Sequence, residues 1–164
     1  MTSPHRRSRL FAASSGLVVL LPVLAGCSSD DGSADTAVPT PGRQTAALCR
    51  DLDRALPERV DGRDRHDPEP RSTLTAGWGD PAIILRCGVP RPEAMDADDS
   101  VGGEVNGVGW LVEKQDDGSH RFTTALRRAY VEVTLPKSLA KDGAGPLTDL
   151  APAIRKTIPK GVAD

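Results

Sequence analysis

Aromatic residues are scarce in this chain. Apart from Phe11 it has only Trp78, Trp110, Phe122 and Tyr130 among 164 residues. A core must therefore rest on Val, Ile, Leu and Ala, which bury less area each. A small domain with so thin a core gains from a covalent staple. Cysteine and histidine are scarce as well, three of each. No Cys-x-x-Cys is present, which removes the usual redox and zinc arrangements. There is no Gly-x-Ser-x-Gly and no Gly-x-x-x-x-Gly-Lys, so neither a nucleophile elbow nor a phosphate-cradling loop can be built. No run of roughly 20 apolar residues exists to span a bilayer as a helix. Positive charge is not in excess either. The formal net charge is −2, and an acidic protein gains nothing from a polyanion, so nucleic acid is not an expected partner.

What the chain does have begins at its N-terminus. His5-Arg6-Arg7-Ser8-Arg9 is a basic region, and Leu10 to Leu24 is a short apolar run broken by Ser14, Ser15, Gly16 and Pro22. Leu24-Ala25-Gly26-Cys27 closes it. This is the pattern of a secretory leader ending in a lipobox, with Cys27 as the lipidated first residue of the mature chain. Residues 1–26 are expected to be removed, leaving 138 residues with 18 bases against 23 acids. Residues 27–44 are expected to form the lipidated cysteine and a tether, because Ser28 to Arg43 is rich in Ser, Asp, Thr and Pro and has no apolar period. A flexible chain of that length reaches about 20–25 Å. Residues 45–164 then form one domain.

Within that domain Leu48, Leu52, Ala55 and Leu56 fall on one face of a helix, with Thr45 as N-cap and Pro57 as stop. Pro57 to Gly77 is polar and reads as a loop. Four strands follow. Ala82 to Cys87 places Ile83, Leu85 and Cys87 on one face. Val105 to Lys114 places Val108, Trp110 and Val112 on one face. His120 to Leu126 returns after the Asp117-Gly118 turn, and Ala129 to Leu135 is the last. Pro92 to Gly103 is an acidic loop. Leu147 to Ile158 repeats Leu150, Ile154 and Ile158 as a second helix, with Asp149 as cap and Pro152 in the first turn. The expected fold is α+β, a four-stranded antiparallel sheet with the N-terminal and C-terminal helices packed on one face.

With Cys27 assigned to lipid, Cys49 and Cys87 remain as an even pair. Outside the cytoplasm such a pair reads as a disulfide, here joining the first helix to the first strand. A metal site would need further ligands, and only His66 and His120 are on offer, so no metal or cofactor is expected. Asp96, Asp98 and Ser100 imitate the start of a calcium loop, but Val101 stands where glycine is needed and Gly107 where the last acid is needed. The polar group with most chemical promise is Arg86, Arg121, Thr123 and Arg127, with Thr124 and Arg128 nearby. On adjacent strands these residues would converge on a small anionic ligand, unless they are solvent-facing residues paired across the strands with Glu132.

The block Trp78…Pro81-Ala82-Ile83-Ile84-Leu85-Arg86-Cys87-Gly88-Val89-Pro90, with Gly107-Val108-Gly109-Trp110-Leu111, Phe122-Thr123-Thr124 and Tyr130-Val131-Glu132-Val133, resembles an actinobacterial lipoprotein family catalogued as domain of unknown function 3515. The resemblance implies a surface-anchored protein and brings no catalytic residues. The expectation is therefore a membrane-anchored, extracytoplasmic lipoprotein held by acylated Cys27, a non-enzymatic module that binds an envelope protein. A sensor or carrier of a small anionic ligand is the alternative. An envelope hydrolase using His66 or His120 is a third reading.

Overall fold

The structure is a computed structural model that describes residues 36–140 and 143–163. The leader, Cys27 and the tether as far as residue 35 lie outside the described residues. Among these residues, eight strands, two α-helices and one 3-10 turn at Glu93–Asp96 follow in order. Helix α1 is Arg43–Ala55. Strands β1 (Arg59–Val60) and β2 (Arg63–Asp64) make a two-stranded ribbon. The main sheet comprises β3 (Thr75–Trp78), β4 (Ile83–Cys87), β5 (Gly102–Val105), β6 (Val108–Lys114), β7 (His120–Ala125) and β8 (Val131–Leu135). Helix α2 is Gly145–Thr157. The sheet order is β3-β4-β8-β7-β6-β5, antiparallel throughout.

The α+β class holds, but the sheet has six strands rather than four, and the ribbon is additional. Two signals account for most of the difference. Asn106-Gly107 turns the chain between β5 and β6, with φ of 48° and 77°. Asp61-Gly62 does the same between β1 and β2, at 51° and 72°. Both are the dipeptides that favour a two-residue hairpin. The run from Val105 is therefore two strands folded back rather than one, and part of the polar stretch 57–77 is a ribbon.

Register explains the burial. Leu85 lies opposite Val133, Val133 opposite Phe122, and Phe122 opposite Val112, so these share a face. Ile83, Leu85, Cys87, Val108, Trp110, Val131 and Leu135 belong to that face and are buried in one core with Leu52, Leu150, Ile154 and Ile158 of the helical segments. The helices touch each other, and α2 also touches β5 and β6. Trp78 is fully buried and its indole N–H donates to the Pro57 carbonyl at 3.0 Å, so it is a core residue with a satisfied polar atom.

The expected Cys49–Cys87 disulfide is present, with Cα atoms 5.6 Å apart. It fastens α1 to β4. Arg65 adds a second fastening, donating to Asp53 of α1 at 2.6 Å and to Asp67 at 2.7 Å. Burial alone would lower the Arg65 pKa, and the two carboxylates outweigh it, so the net direction is upward.

The helix caps differ from the sequence expectation. α1 starts at Arg43 with Gly42 as N-cap, not at Thr45. α2 starts after Ala144 with Pro146 in its first turn. Asp149 is no cap; it accepts from the Asp61 backbone N–H at 2.8 Å. Pro152 sits inside α2 rather than at its start. It leaves the Thr148 carbonyl without the N–H four residues on, and Asn106 Nδ2 points at that oxygen from 3.4 Å.

Residues 36–42, within the stretch read as tether, already pack on the domain. Thr36 is buried and its N–H donates to the Glu69 carbonyl at 2.9 Å. A Cβ on Gly88 would meet Pro41 Cγ at 2.6 Å, and Gly88 has φ 85°. Glycine at 88 is thus what lets this strap lie against the end of β4.

Candidate functional site

The face of the sheet opposite the main core carries the polar residues. Arg86, Glu132 and Thr123 stand side by side across β4, β8 and β7. Arg86 donates to both oxygens of Glu132, at 2.9 and 3.2 Å. Arg121 lies 3.5 Å from the same carboxylate. Arg86 also reaches the Ala37 carbonyl of the strap at 3.4 Å. Glu132 is buried, so a carboxylate paired on two sides is what makes its burial tolerable.

Three of the four residues singled out in the sequence therefore come together: Arg86, Arg121 and Thr123. Arg127 does not join them. It is buried elsewhere, donating to the Ile158 carbonyl at 2.9 Å and the Gly107 carbonyl at 2.8 Å. Its pKa is lowered, first by burial and then by Arg155. Within the triad Glu132 supplies the carboxylate that an anionic ligand would bring. Two polar atoms there still lack hydrogen bonds among the described residues, Arg121 Nε and the hydroxyl of fully buried Thr123.

The histidines stand apart. His66 is exposed and only its backbone N–H is engaged, to Gly77. The His120 ring stacks on Phe122 with centroids 6.4 Å apart, and its Nδ1 is buried without a partner. Among the described residues neither imidazole is hydrogen-bonded to a serine or a carboxylate, the contact a base–nucleophile pair requires. No three His, Cys, Asp or Glu side chains converge among the described residues as a metal site would need. No described helix is long and apolar enough to cross a membrane.

Two concavities, among several on the described surface, share Arg91. The larger, about 510 Å³, opens at the N-terminus of α1 against Gly88, Arg91, Tyr130 and Val162. Gly42 offers no side-chain cap there, so the first helical N–H groups are left for solvent or a ligand. Tyr130 accepts from Arg91 Nη1 at 3.0 Å, and Arg91 Nη2 donates to Asp96 at 2.6 Å. The guanidinium holds Asp96 below the usual carboxylate range, and Arg91 is raised in turn by Asp96 and Tyr130. The smaller, about 260 Å³, lies beside β5 and is lined by Met95, Val101, Leu111, Ala125 and Leu126, with Arg91 at the boundary of both. Neither was legible in the sequence, because each is walled by loops that meet only in the fold. The one available signal was Leu126 itself, an apolar residue followed by two arginines at the end of a strand.

Comparison with curated proteins finds no match, and comparison with solved structures finds none. Residues 12–162, nearly the whole chain, match the family described as protein of unknown function (DUF3515), and the chain belongs to that family.

Proposed function

We propose that this protein is a lipid-anchored binding module on the outer face of the cytoplasmic membrane. The carrying observation is the Cys49–Cys87 disulfide, with both cysteines buried at 1% exposure. A structural disulfide belongs to an oxidising compartment, which agrees with the leader and lipobox at Leu24-Ala25-Gly26-Cys27. The same bridge and the strap at 36–42 fasten the anchor-proximal end of the domain, as a module loaded through its N-terminus requires. The exposed apolar groove beside β5 supports binding rather than chemistry. Two experiments test the two halves. Cys27→Ser should move the protein from the membrane to the soluble fraction; retention at the membrane would overturn the anchor. Photo-crosslinkers spread over the domain surface should capture an envelope protein in living cells; capture from no position would overturn the binding module.

A second reading, a sensor of a small anionic group, draws on the buried Thr123 hydroxyl, which lacks a hydrogen bond among the described residues, and on Arg121 Nε, which makes only a 3.5 Å ion pair with Glu132, both beside Arg86. Arg86→Ala separates the two. It should abolish uptake of a small anion if this reading holds, and should leave protein capture unchanged under the leading one.

A further inference from the structure

The two edges of the main sheet are treated differently. The β3 edge is covered by the ribbon: His66 N–H donates to the Gly77 carbonyl at 2.8 Å and Gly79 N–H to the Asp64 carbonyl at 3.1 Å. The β5 edge has no such cover among the described residues. Val112 N–H donates to the Val101 carbonyl at 2.8 Å, so by the antiparallel alternation Gly103 bonds toward β6 while Gly102 and Glu104 turn their N–H and C=O groups outward. Gly102, Gly103 and Glu104 are all exposed. The strand carries no proline and no lysine, the residues that usually guard an edge.

An apolar groove lies directly beside this edge, and it holds two of the three large apolar side chains most exposed on the domain. Val101 is 64% and Leu126 is 78% exposed. Leu126 has φ 54°, a left-handed conformation that costs a branched residue free energy and that glycine would adopt freely. The surroundings enforce it. Its carbonyl accepts from Gly161 N–H at 3.0 Å, and the next residue is buried Arg127, pinned to Ile158 and Gly107. An exposed leucine held in a disfavoured conformation by a buried arginine serves contact better than stability.

Charge and size narrow the occupant. Glu104 stands on the edge strand itself, Asp98 and Asp99 directly precede the lining residues Ser100 and Val101, and Glu93 lies two residues before Met95. All four are exposed and make no ion pair among the described residues, while Arg91, the one charged residue lining the groove, is paired with Asp96. A second copy would bring the same acids edge to edge. Anionic lipid headgroups and the acidic stretch Asp30, Asp31 and Asp35 would be repelled likewise. At about 260 Å³ the groove falls below the roughly 300 Å³ at which small-molecule sites begin, and it suits a few apolar side chains.

We infer that the β5 edge accepts an extended segment of another protein as a seventh strand. Its apolar residues enter the Val101–Leu126 groove, and lysine or arginine residues between them meet Glu104 of the edge strand and the neighbouring Asp98 and Asp99. This rests on the binding-module reading and states where the module binds and what chemistry it recognises. The test uses the full chain in detergent with a fluorescent peptide of alternating lysine and valine, six residues long, and the glutamate–valine analogue as control. The lysine–valine peptide should bind at least tenfold tighter than its analogue and weaken as salt rises. Leu126→Asp should reduce its affinity tenfold or more. Glu104→Pro removes an outward N–H without touching the β6 ladder, so it should do the same with an unchanged melting temperature. Absence of lysine–valine binding, or binding indifferent to both substitutions, would overturn the proposal, as would a β5-to-β5 dimer in sedimentation. If crosslinkers elsewhere on the domain capture an envelope protein while one at position 126 captures none, the site falls and the binding module stands.

Discussion

Several single residues are committed to tasks that their neighbours define. Asp117 accepts from the Ser119 N–H at 2.8 Å, and its pKa is lowered, first by the Ser119 hydroxyl and then by that N–H. Asp96 is lowered by Arg91. A carboxyl whose folded pKa is depressed contributes stability above its unfolded value, near ~3.9, and loses it as pH falls through the lower folded value. Carboxyl NMR titration should therefore show Asp96 and Asp117 still ionised at a pH where an aspartate of the unfolded chain has begun to protonate; midpoints at the unfolded value would contradict the contacts. Arg127 is the more consequential case. Arg127→Met would leave the buried Ile158 carbonyl and the part-buried Gly107 carbonyl without their donor, with an expected loss of about 2–4 kcal/mol in denaturant unfolding and release of the Leu126 turn. A loss within experimental error would show that water replaces the guanidinium. Arg127 was grouped with Arg86 in the sequence because both lie on or beside adjacent antiparallel strands, from which they could converge. Nothing in a local pattern separates an arginine that points into a polar sheet face from one that ties two turns together.

Elements show a clearer division between what local patterns carry and what they do not. The core faces of β4 and β6 were readable, since alternation alone places Ile83, Leu85 and Cys87, or Val108 and Trp110, on one side. The hairpins at Asp61-Gly62 and Asn106-Gly107 were equally readable in principle, but polarity around the first and continuity of apolar residues around the second masked them. β3 was hidden for a different reason. Thr75-Ala76-Gly77-Trp78 has little apolar periodicity and is a strand because β4 and the ribbon flank it. The disulfide was legible by cysteine arithmetic, and it should matter. It closes a separation of 38 residues, for which the chain-entropy estimate is about 4 kcal/mol. The Cys49→Ala/Cys87→Ala pair should fall in stability by roughly that amount in equilibrium unfolding, with α1 losing hydrogen-exchange protection first. Gly88→Ala tests the strap. A Cβ at φ 85° pressed onto Pro41 should cost about 1–2 kcal/mol from the backbone alone, and should speed exchange of the Thr36 amide that Glu69 protects. Unchanged exchange at Thr36 would show that the strap is held without the glycine.

At the scale of the whole molecule the parts form one sequence of commitments. In the proposed reading, the leader and lipobox address the chain to the membrane. The strap and the disulfide secure the N-terminal end of the domain. The ribbon closes one sheet edge, and among the described residues the other is left open beside an apolar groove. The proposal of compartment and anchor rests on leader chemistry, which is local and ordered along the chain. The groove was not legible, because Met95, Val101, Leu111 and Leu126 come from four separate segments. The central claim is that Cys27 carries the domain on lipid outside the cytoplasm. Intact-mass measurement on the protein extracted from native membranes tests it most directly. The account predicts a chain that begins at Cys27, carries the added mass of acyl chains on that residue, and keeps Cys49 and Cys87 oxidised. A chain that begins at Met1, or one whose Cys27 is unmodified, would contradict it.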